Sequence, residues 1–294
     1  VAGSKIEPLL VIVGETTSGK SSLSLQLAQQ LNGEIISADA WALRRRADIG
    51  TAKPTKQERQ LVRHHLIDII EPDDKFSAAK FKRQANQAIK DIASRGKLPI
   101  MVGGSGLYID SVLYDYQFLP ASDHKDRQMF NDLTLSDLIK EANKKGIDLT
   151  TVDTNNRHRL IRLIETNGAQ PSHKSMRENT LVIGLSVDRE QLKKRISDRV
   201  DRMLDEGLEA EVKNLANDYS WQAEALKGIA YHEWEDYFIG QIGIQDVVER
   251  INKDNYNLAK RQRTWFNRNK SIQWFITPVS LAEIVELITT YLKL

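Results

Sequence analysis

Leu9-Leu-Val-Ile-Val-Gly14-Glu-Thr-Thr-Ser-Gly19-Lys20-Ser21 sets how this chain folds. The unbroken apolar run Leu9 to Val13 reads as a strand buried on both faces, and the spacing of Leu23, Leu25, Leu27, Ala28 and Leu31 reads as a helix. Between them, Gly14 to Ser21 matches G-x-x-x-x-G-K-[ST] in the strand–loop–helix setting that a phosphate loop requires. Its glycines let backbone N–H groups turn inward around phosphate oxygens. The helix start adds partial positive charge, Lys20 neutralises, and the Ser21 hydroxyl suits Mg²⁺. Gly14, Thr16, Thr17, Ser18, Gly19, Lys20 and Ser21 are the candidate polyphosphate-binding residues, with Ser21 the candidate metal ligand.

Further along, Gly33 to Asp39 reads as a second strand and His65 to Ile70, ahead of Pro72, as a third. Ser77 to Ser94 has helical spacing, with Phe81, Ala85, Ala88, Ile89 and Ile92 on one face. Lys97 to Val102 is another buried strand and ends in a second glycine-rich turn, Gly103-Gly-Ser-Gly106. Strands alternating with helices, with glycine at strand C-termini, predict an α/β fold: a P-loop NTPase-like parallel sheet flanked by helices, with ligands at the C-terminal edge.

Past Leu119-Pro120 the chain becomes polar and helical, and Asp123 to Leu149 reads as a small inserted helical lobe. Leu181 to Val187 returns to the sheet, Gln191 to Leu215 reads as one long charged helix, and Ile272 to Ile276 reads as a last strand. The expected division is a first part of the core over 5–120, the lobe over 121–156, and the rest of the core with C-terminal helices over 157–294.

At 294 residues with 40% hydrophobic and 28% charged content, the chain has the composition of a globular protein that buries a sizeable core. Having no cysteine, it has no disulfide, thiolate catalysis or cysteine-held metal; with no signal-peptide pattern at its start, a cytoplasmic address and a monomer are expected. A net charge of +2 says little about partners, because affinity for a polyanion depends on where charge clusters. Two windows stand out. Lys260, Arg261, Arg263, Arg268 and Lys270 surround Trp265 and Phe266 with no acid among them, and Arg44, Arg45, Arg46, Lys53, Lys56, Arg59 and Arg63 form the other. Solvated helix faces and RNA-binding surfaces both produce such windows.

The loop specifies a polyphosphate and does not by itself specify ATP. A kinase or hydrolase normally adds an acid after a second apolar strand to hold Mg²⁺ and orient the nucleophile. The strand ending at Val102 runs into glycines instead, although Asp68 could take that part. What remains is a diphosphate cradle facing one carboxylate, Asp39, at the end of the second strand.

Ile35-Ile-Ser-Ala-Asp39, Asp48-Ile-Gly-Thr-Ala-Lys-Pro54, His64-His-Leu-Ile-Asp68, Val102-Gly-Gly-Ser-Gly-Leu-Tyr108 and Lys260-Arg-Gln-Arg-Thr-Trp-Phe266, in this order, closely resemble the tRNA dimethylallyltransferase family. The resemblance continues through Asn156 to Glu165, Arg195 to Met203 and Gly228 to Glu233, and so covers nearly the whole chain. It implies transfer of a dimethylallyl group from its diphosphate to N6 of the adenosine that follows the anticodon in tRNA, with Mg²⁺ as cofactor. In that reading Asp39 is the general base, Ser105 donates to the leaving ester oxygen, and Lys20 and Arg199 stabilise the departing diphosphate. The resemblance also assigns tRNA contacts to Asp39, Ala40, Trp41, Ala42, Ser105, Arg127, His158, Arg159, Arg162, Lys227, Tyr231, Lys260, Arg261, Gln262 and Trp265. A flipped loop adenine reaching a deep channel is consistent with how proteins read single-stranded RNA.

The sequence departs from the family in places. Ala40-Trp41-Ala42 and the arginines at 44–46 stand where the family has a serine and often a tyrosine, and Ser105 replaces the usual threonine. Glu15 replaces the usual proline of the phosphate loop, and its charge is tolerable there only if the side chain points outward. The lobe between Pro120 and Asn156 is shorter than is common. Trp221, Trp234 and Trp274 are expected in the core, and the scattered histidines predict no zinc site. Three alternatives stay open: a P-loop nucleotide or small-molecule kinase that binds ATP, an isopentenyltransferase acting on free adenine nucleotides, and an RNA-binding protein with a degenerate site.

Overall fold

The computed structural model describes residues 6–119, 124–150 and 152–293, so the expected domain limits at 5, 120–121 and 294 fall outside the described residues. Along the chain run β1 (Leu9–Gly14), α1 (Lys20–Gln30), β2 (Gly33–Ser37), α2 (Lys56–Leu61), β3 (His64–His65), α3 (Ala78–Ser94), β4 (Leu98–Val102), α4 (Gly106–Leu113), α5 (His124–Asp132), α6 (Leu135–Lys144), α7 (Arg157–Glu165), β5 (Thr180–Ser186), α8 (Arg189–Asp205), α9 (Leu208–Tyr219), α10 (Glu235–Phe238), α11 (Ile244–Phe266), β6 (Gln273–Ile276) and α12 (Leu281–Leu292). The chain divides into two compact units, one formed by residues 1–113 with 177–294 and the other by Tyr114–Met176.

In the larger unit the six strands form one parallel sheet in the order β3–β2–β4–β1–β5–β6. β1 and β4 are buried at every residue, which is why both read as uninterrupted apolar runs. Leu10, Ile12, Ile100, Leu181 and Ile183 pack with Leu23 and Leu27 of α1 and with Ile284 and Ile288 of α12. A second cluster joins Val200 and Met203 of α8, Leu208, Val212 and Leu215 of α9, Tyr231, Trp234, and Val247 and Ile251 of α11.

Three sequence expectations change. The third strand shrinks to His64–His65 with an isolated bridge between Arg44 and Ile70, because Leu66 and Asp68 take positive φ and bend the chain out of the sheet. The long charged helix breaks at Gly207, whose left-handed φ of 97° separates α8 from α9. Trp274 leaves the core: β6 is an edge strand, and Trp274 and Ile276 lie exposed on one of its faces, whereas Trp234 is fully buried.

The smaller unit is helical. Leu160, Ile161, Leu163 and Ile164 of α7 pack with Phe130 of α5, Leu138 and Ala142 of α6, and Ile147. The apolar face of α7 therefore belongs with the two preceding helices, which makes this unit wider than the 121–156 segment read from the sequence. In the larger unit the chain leaves at Leu113 and returns at Arg177, whose N–H donates to the Leu113 carbonyl at 2.7 Å. No described helix is long and apolar enough to cross a membrane.

Candidate active site

β2, β4 and β1 are neighbours and run parallel, so the segments that succeed them emerge side by side at one edge of the sheet. Those segments carry Asp39, Gly103 to Ser105 and the phosphate loop. Ala38 N–H donates to the Val102 carbonyl at 2.7 Å, Gly103 N–H to Ile12 at 3.1 Å, and Ser105 N–H to Ala38 at 3.2 Å. The Gly103 backbone lies so close to Ala38 that a Cβ at that position would sit 2.1 Å from the Ala38 oxygen. Ser105 Oγ accepts the Ala40 N–H at 3.0 Å, which leaves its own hydrogen available to another acceptor.

In the phosphate loop, α1 starts at Gly19 with no side-chain cap and no acid in its first turn, so its free N–H groups form an uncompensated positive end. Lys20 Nζ folds back to the Glu15 carbonyl at 2.6 Å, and Arg199 Nη1 donates to Thr16 Oγ1 at 3.0 Å. Burial pushes the Lys20 ammonium down to about 8, and the nearby Arg199 charge pushes the same way. The Arg199 guanidinium is likewise lowered, first by burial. Arg199 Nε and Thr17 Oγ1 are buried without a hydrogen bond. Two cations short of water, beside orphaned polar atoms and a helix start, suit a multiply charged anion.

Glu15 does not point outward. It is 3% exposed, and its Oε1 accepts Val187 N–H at 3.1 Å and Arg263 Nη2 at 2.6 Å. Arg263 of α11 neutralises the charge, while Oε2 is buried without a hydrogen bond. Next to it, Gln262 Oε1 accepts the Thr16 N–H at 2.7 Å while its Nε2 donates to the Gly104 carbonyl at 3.2 Å. Gln262 thus lies between the two glycine-rich turns rather than on an open surface.

The arginine run divides, with Arg44 turned inward and Arg45 and Arg46 exposed. Arg44 is buried, donates to the Ala40 and Asp74 carbonyls, and stacks over the Trp41 ring at 5.1 Å. Arg45 pairs with Glu71 and Arg46 with Asp218. Ala42 is buried, while Ala40 and Trp41 are half-buried. Asp68, the acid a kinase could have used, gives one oxygen to Lys53 and the other to Arg59, each at 2.5 Å. Lys53 also pairs with Asp48, so both shape this loop.

Among the expected tRNA contacts, Lys260 and Arg261 are exposed, and Lys260 stacks over Tyr256 at 4.7 Å. Trp265 donates from Nε1 to Asp110 at 2.8 Å and carries Arg268 over its ring. Lys227 is exposed and pairs with Glu224. Tyr231 has no exposed surface, and its hydroxyl donates to Glu211 at 2.7 Å, so it is a core residue. Within the smaller unit, His158 and Arg159 are exposed, whereas Arg127 and Arg162 both pair with the buried Glu165 carboxylate. The fold also gathers His232, Glu233 and Asp254, a grouping that no sequence spacing announced. His232 contacts both acids, at 3.4 and 3.3 Å, and its Nδ1 bonds the Gly228 carbonyl, an arrangement that serves as an ion triad when the imidazole is protonated.

Residues 44–269 match the IPP transferase family model. The tRNA dimethylallyltransferase of Bacillus subtilis (strain 168) is 40% identical over 288 residues, which covers 92% of each chain. A full-length tRNA isopentenylpyrophosphate transferase from Bacillus halodurans superimposes with a TM-score of 0.77 at 35% identity, covering 98% of this chain and 97% of that one. A eukaryotic dimethylallyltransferase acting on tRNA gives a TM-score of 0.78 at 26% identity over 92% of this chain and 74% of its own. A match that covers the window from Arg44 to Arg63, the turn carrying Ser105 and Lys260 to Arg268, with relatives aligned along nearly the whole length, leaves one assignment: this chain belongs to the IPP transferase family.

Proposed function

We propose that this protein transfers a dimethylallyl group from dimethylallyl diphosphate to N6 of the adenosine that follows the anticodon of tRNA. The observation that carries the reading is the hydrogen bond between Ala40 N–H and Ser105 Oγ, which joins the Asp39 turn to the turn beside the phosphate loop. A carboxylate held next to a cation-lined cradle suits an alkyl transfer in which a proton leaves one substrate as an anion leaves the other. Family membership and the names of the relatives support the same reading.

In the reaction, the adenine N6–C bond forms while the allylic C–O bond to diphosphate breaks, and the N6 proton passes to Asp39. Lys20 and Arg199, with the free N–H groups of α1, meet the negative charge that develops on the diphosphate. Ser105 directs its hydrogen toward the departing oxygen. The Ser21 hydroxyl, exposed on the first turn of α1, would hold a Mg²⁺ ion beside the cradle. When bound it neutralises diphosphate charge.

Exposed Lys260, Arg261 and Lys227 offer charge to an RNA backbone, and Trp41 and Trp265 offer aromatic surface. Incubating the protein with Mg²⁺, dimethylallyl diphosphate and unmodified tRNA, followed by nuclease digestion and mass spectrometry, tests the proposal. N6-(dimethylallyl)adenosine supports it. No product across several tRNAs with adenosine after the anticodon, alongside phosphoryl transfer from ATP to another acceptor, assigns a kinase activity in its place. Product from free AMP but not from tRNA assigns the nucleotide-level reaction instead.

A further inference from the structure

Consecutive residues of α11 hold consecutive residues of the phosphate loop: Gln262 Oε1 takes the Thr16 N–H at 2.7 Å, and Arg263 Nη2 donates to Glu15 Oε1 at 2.6 Å. Both contacts are anchored a second time, since Gln262 Nε2 reaches the Gly104 carbonyl and Arg263 Nη2 reaches the Val187 carbonyl at 2.9 Å. A glycine-rich loop has many backbone states, and its amides bind an anion well only if their directions are fixed beforehand. The loop's own hydrogen bonds, Ser18 N–H to Glu15 O and Lys20 Nζ to Glu15 O, both converge on Glu15, so fixing Glu15 fixes the cradle.

We infer that Gln262 and Arg263 are positioning residues for the diphosphate, clamping the Glu15–Thr16 side of the loop from α11, rather than contacts for RNA. The inference rests on the proposed transferase reading. It accounts for two departures from expectation at once: a carboxylate in the phosphate loop, and a glutamine in a basic-aromatic window that faces inward. Gly104 is part of the same arrangement, because a Cβ there would lie 2.1 Å from Gln262 Nε2. The exposed neighbours Lys260 and Arg261 remain on the outer face of the helix.

The test is calorimetric binding of inorganic diphosphate with Mg²⁺, and separately of an anticodon stem-loop RNA, to the full chain and to Gln262→Met, Arg263→Met and Arg263→Lys. Each methionine keeps the aliphatic bulk and removes the polar hold. Expected is a loss of diphosphate affinity of about tenfold in either methionine variant, with RNA affinity changed by less than about twofold and most of the loss recovered in Arg263→Lys. In turnover assays the same variants raise KM for the allyl diphosphate more than they lower kcat. Diphosphate affinity within about twofold of wild type in Gln262→Met, or a loss confined to RNA, overturns the inference. Gln262→Met decides alone if Arg263→Met does not fold. Failure of the wild type to bind diphosphate at all removes the transferase reading itself and this inference with it, a result distinct from variants that match a binding wild type.

Discussion

Asp39 Oδ1 accepts the Trp41 N–H at 2.8 Å and the Ala42 N–H at 3.3 Å, so one carboxylate oxygen builds the turn. The other, Oδ2, takes no hydrogen bond among the described residues and is the oxygen open to an incoming proton. Asp39→Asn keeps an Oδ1 acceptor for both amides and removes only the basicity. The expected result is a kcat reduced by about 10²- to 10⁴-fold with diphosphate affinity close to wild type. Asp39→Ala should also loosen the turn and lower the melting temperature, which single-turnover kinetics and a thermal melt would separate.

Lys20 titrates near 8 in the free site because burial and the Arg199 charge disfavour its ammonium. An allyl diphosphate prefers the protonated form, so its affinity should fall by up to about tenfold per pH unit as pH rises above that value. Calorimetry at pH 8 in buffers of different ionisation enthalpy should detect proton uptake on binding. In Lys20→Arg, which stays protonated, the falling limb should disappear.

Glu34 is a buried carboxylate gripped by Arg95, His65 and Lys97 at the start of β2. Those partners, Arg95 foremost, hold its carboxyl well below the usual range. A depressed folded pKa contributes stability that is present above the unfolded value of about 4.3 and is lost as pH falls through the folded one. Glu34→Gln should therefore lower stability near neutrality. The deficit should narrow as the wild type is acidified, as denaturant melts across that pH range would show.

Tyr231→Phe separates core from contact. The hydroxyl donates to Glu211, whose carboxylate also accepts the amides of Asp48, Ile49 and Gly50. Losing a buried hydrogen bond to a charged acceptor should cost about 1.5–3 kcal/mol of stability while RNA affinity stays the same. A filter-binding assay in which RNA affinity drops without a change in melting temperature would return Tyr231 to the RNA surface.

Much of the fold was legible because its signals are local. The apolar run Leu9 to Val13, the phosphate loop after it and the glycines after Val102 each declare themselves within a few residues, and parallel strands bring their succeeding loops to one edge. Contacts made across the chain were hidden. Gln262 and Thr16 are 246 positions apart, and Arg263 and Glu15 are 248 apart. A basic-aromatic window cannot announce which of its members turn inward. The burial of Tyr231 was hidden for a related reason: its hydroxyl meets Glu211 of α9, and no local pattern marks that contact. Gly207 could have been read from the sequence, since glycine inside a long charged helix invites a break.

The hydrogen bond from Arg177 N–H to Leu113 O makes the exit and re-entry of the helical insertion a single address on the larger unit. A detour that starts and ends at one point imposes no distance on the chain between, and the entropic cost of closing it grows only slowly with length. Residues 114–176 can lengthen, shorten or change sequence over evolutionary time without moving a strand of the sheet. The helical insertion and the sheet that carries it are thereby free to evolve at different rates in one polypeptide.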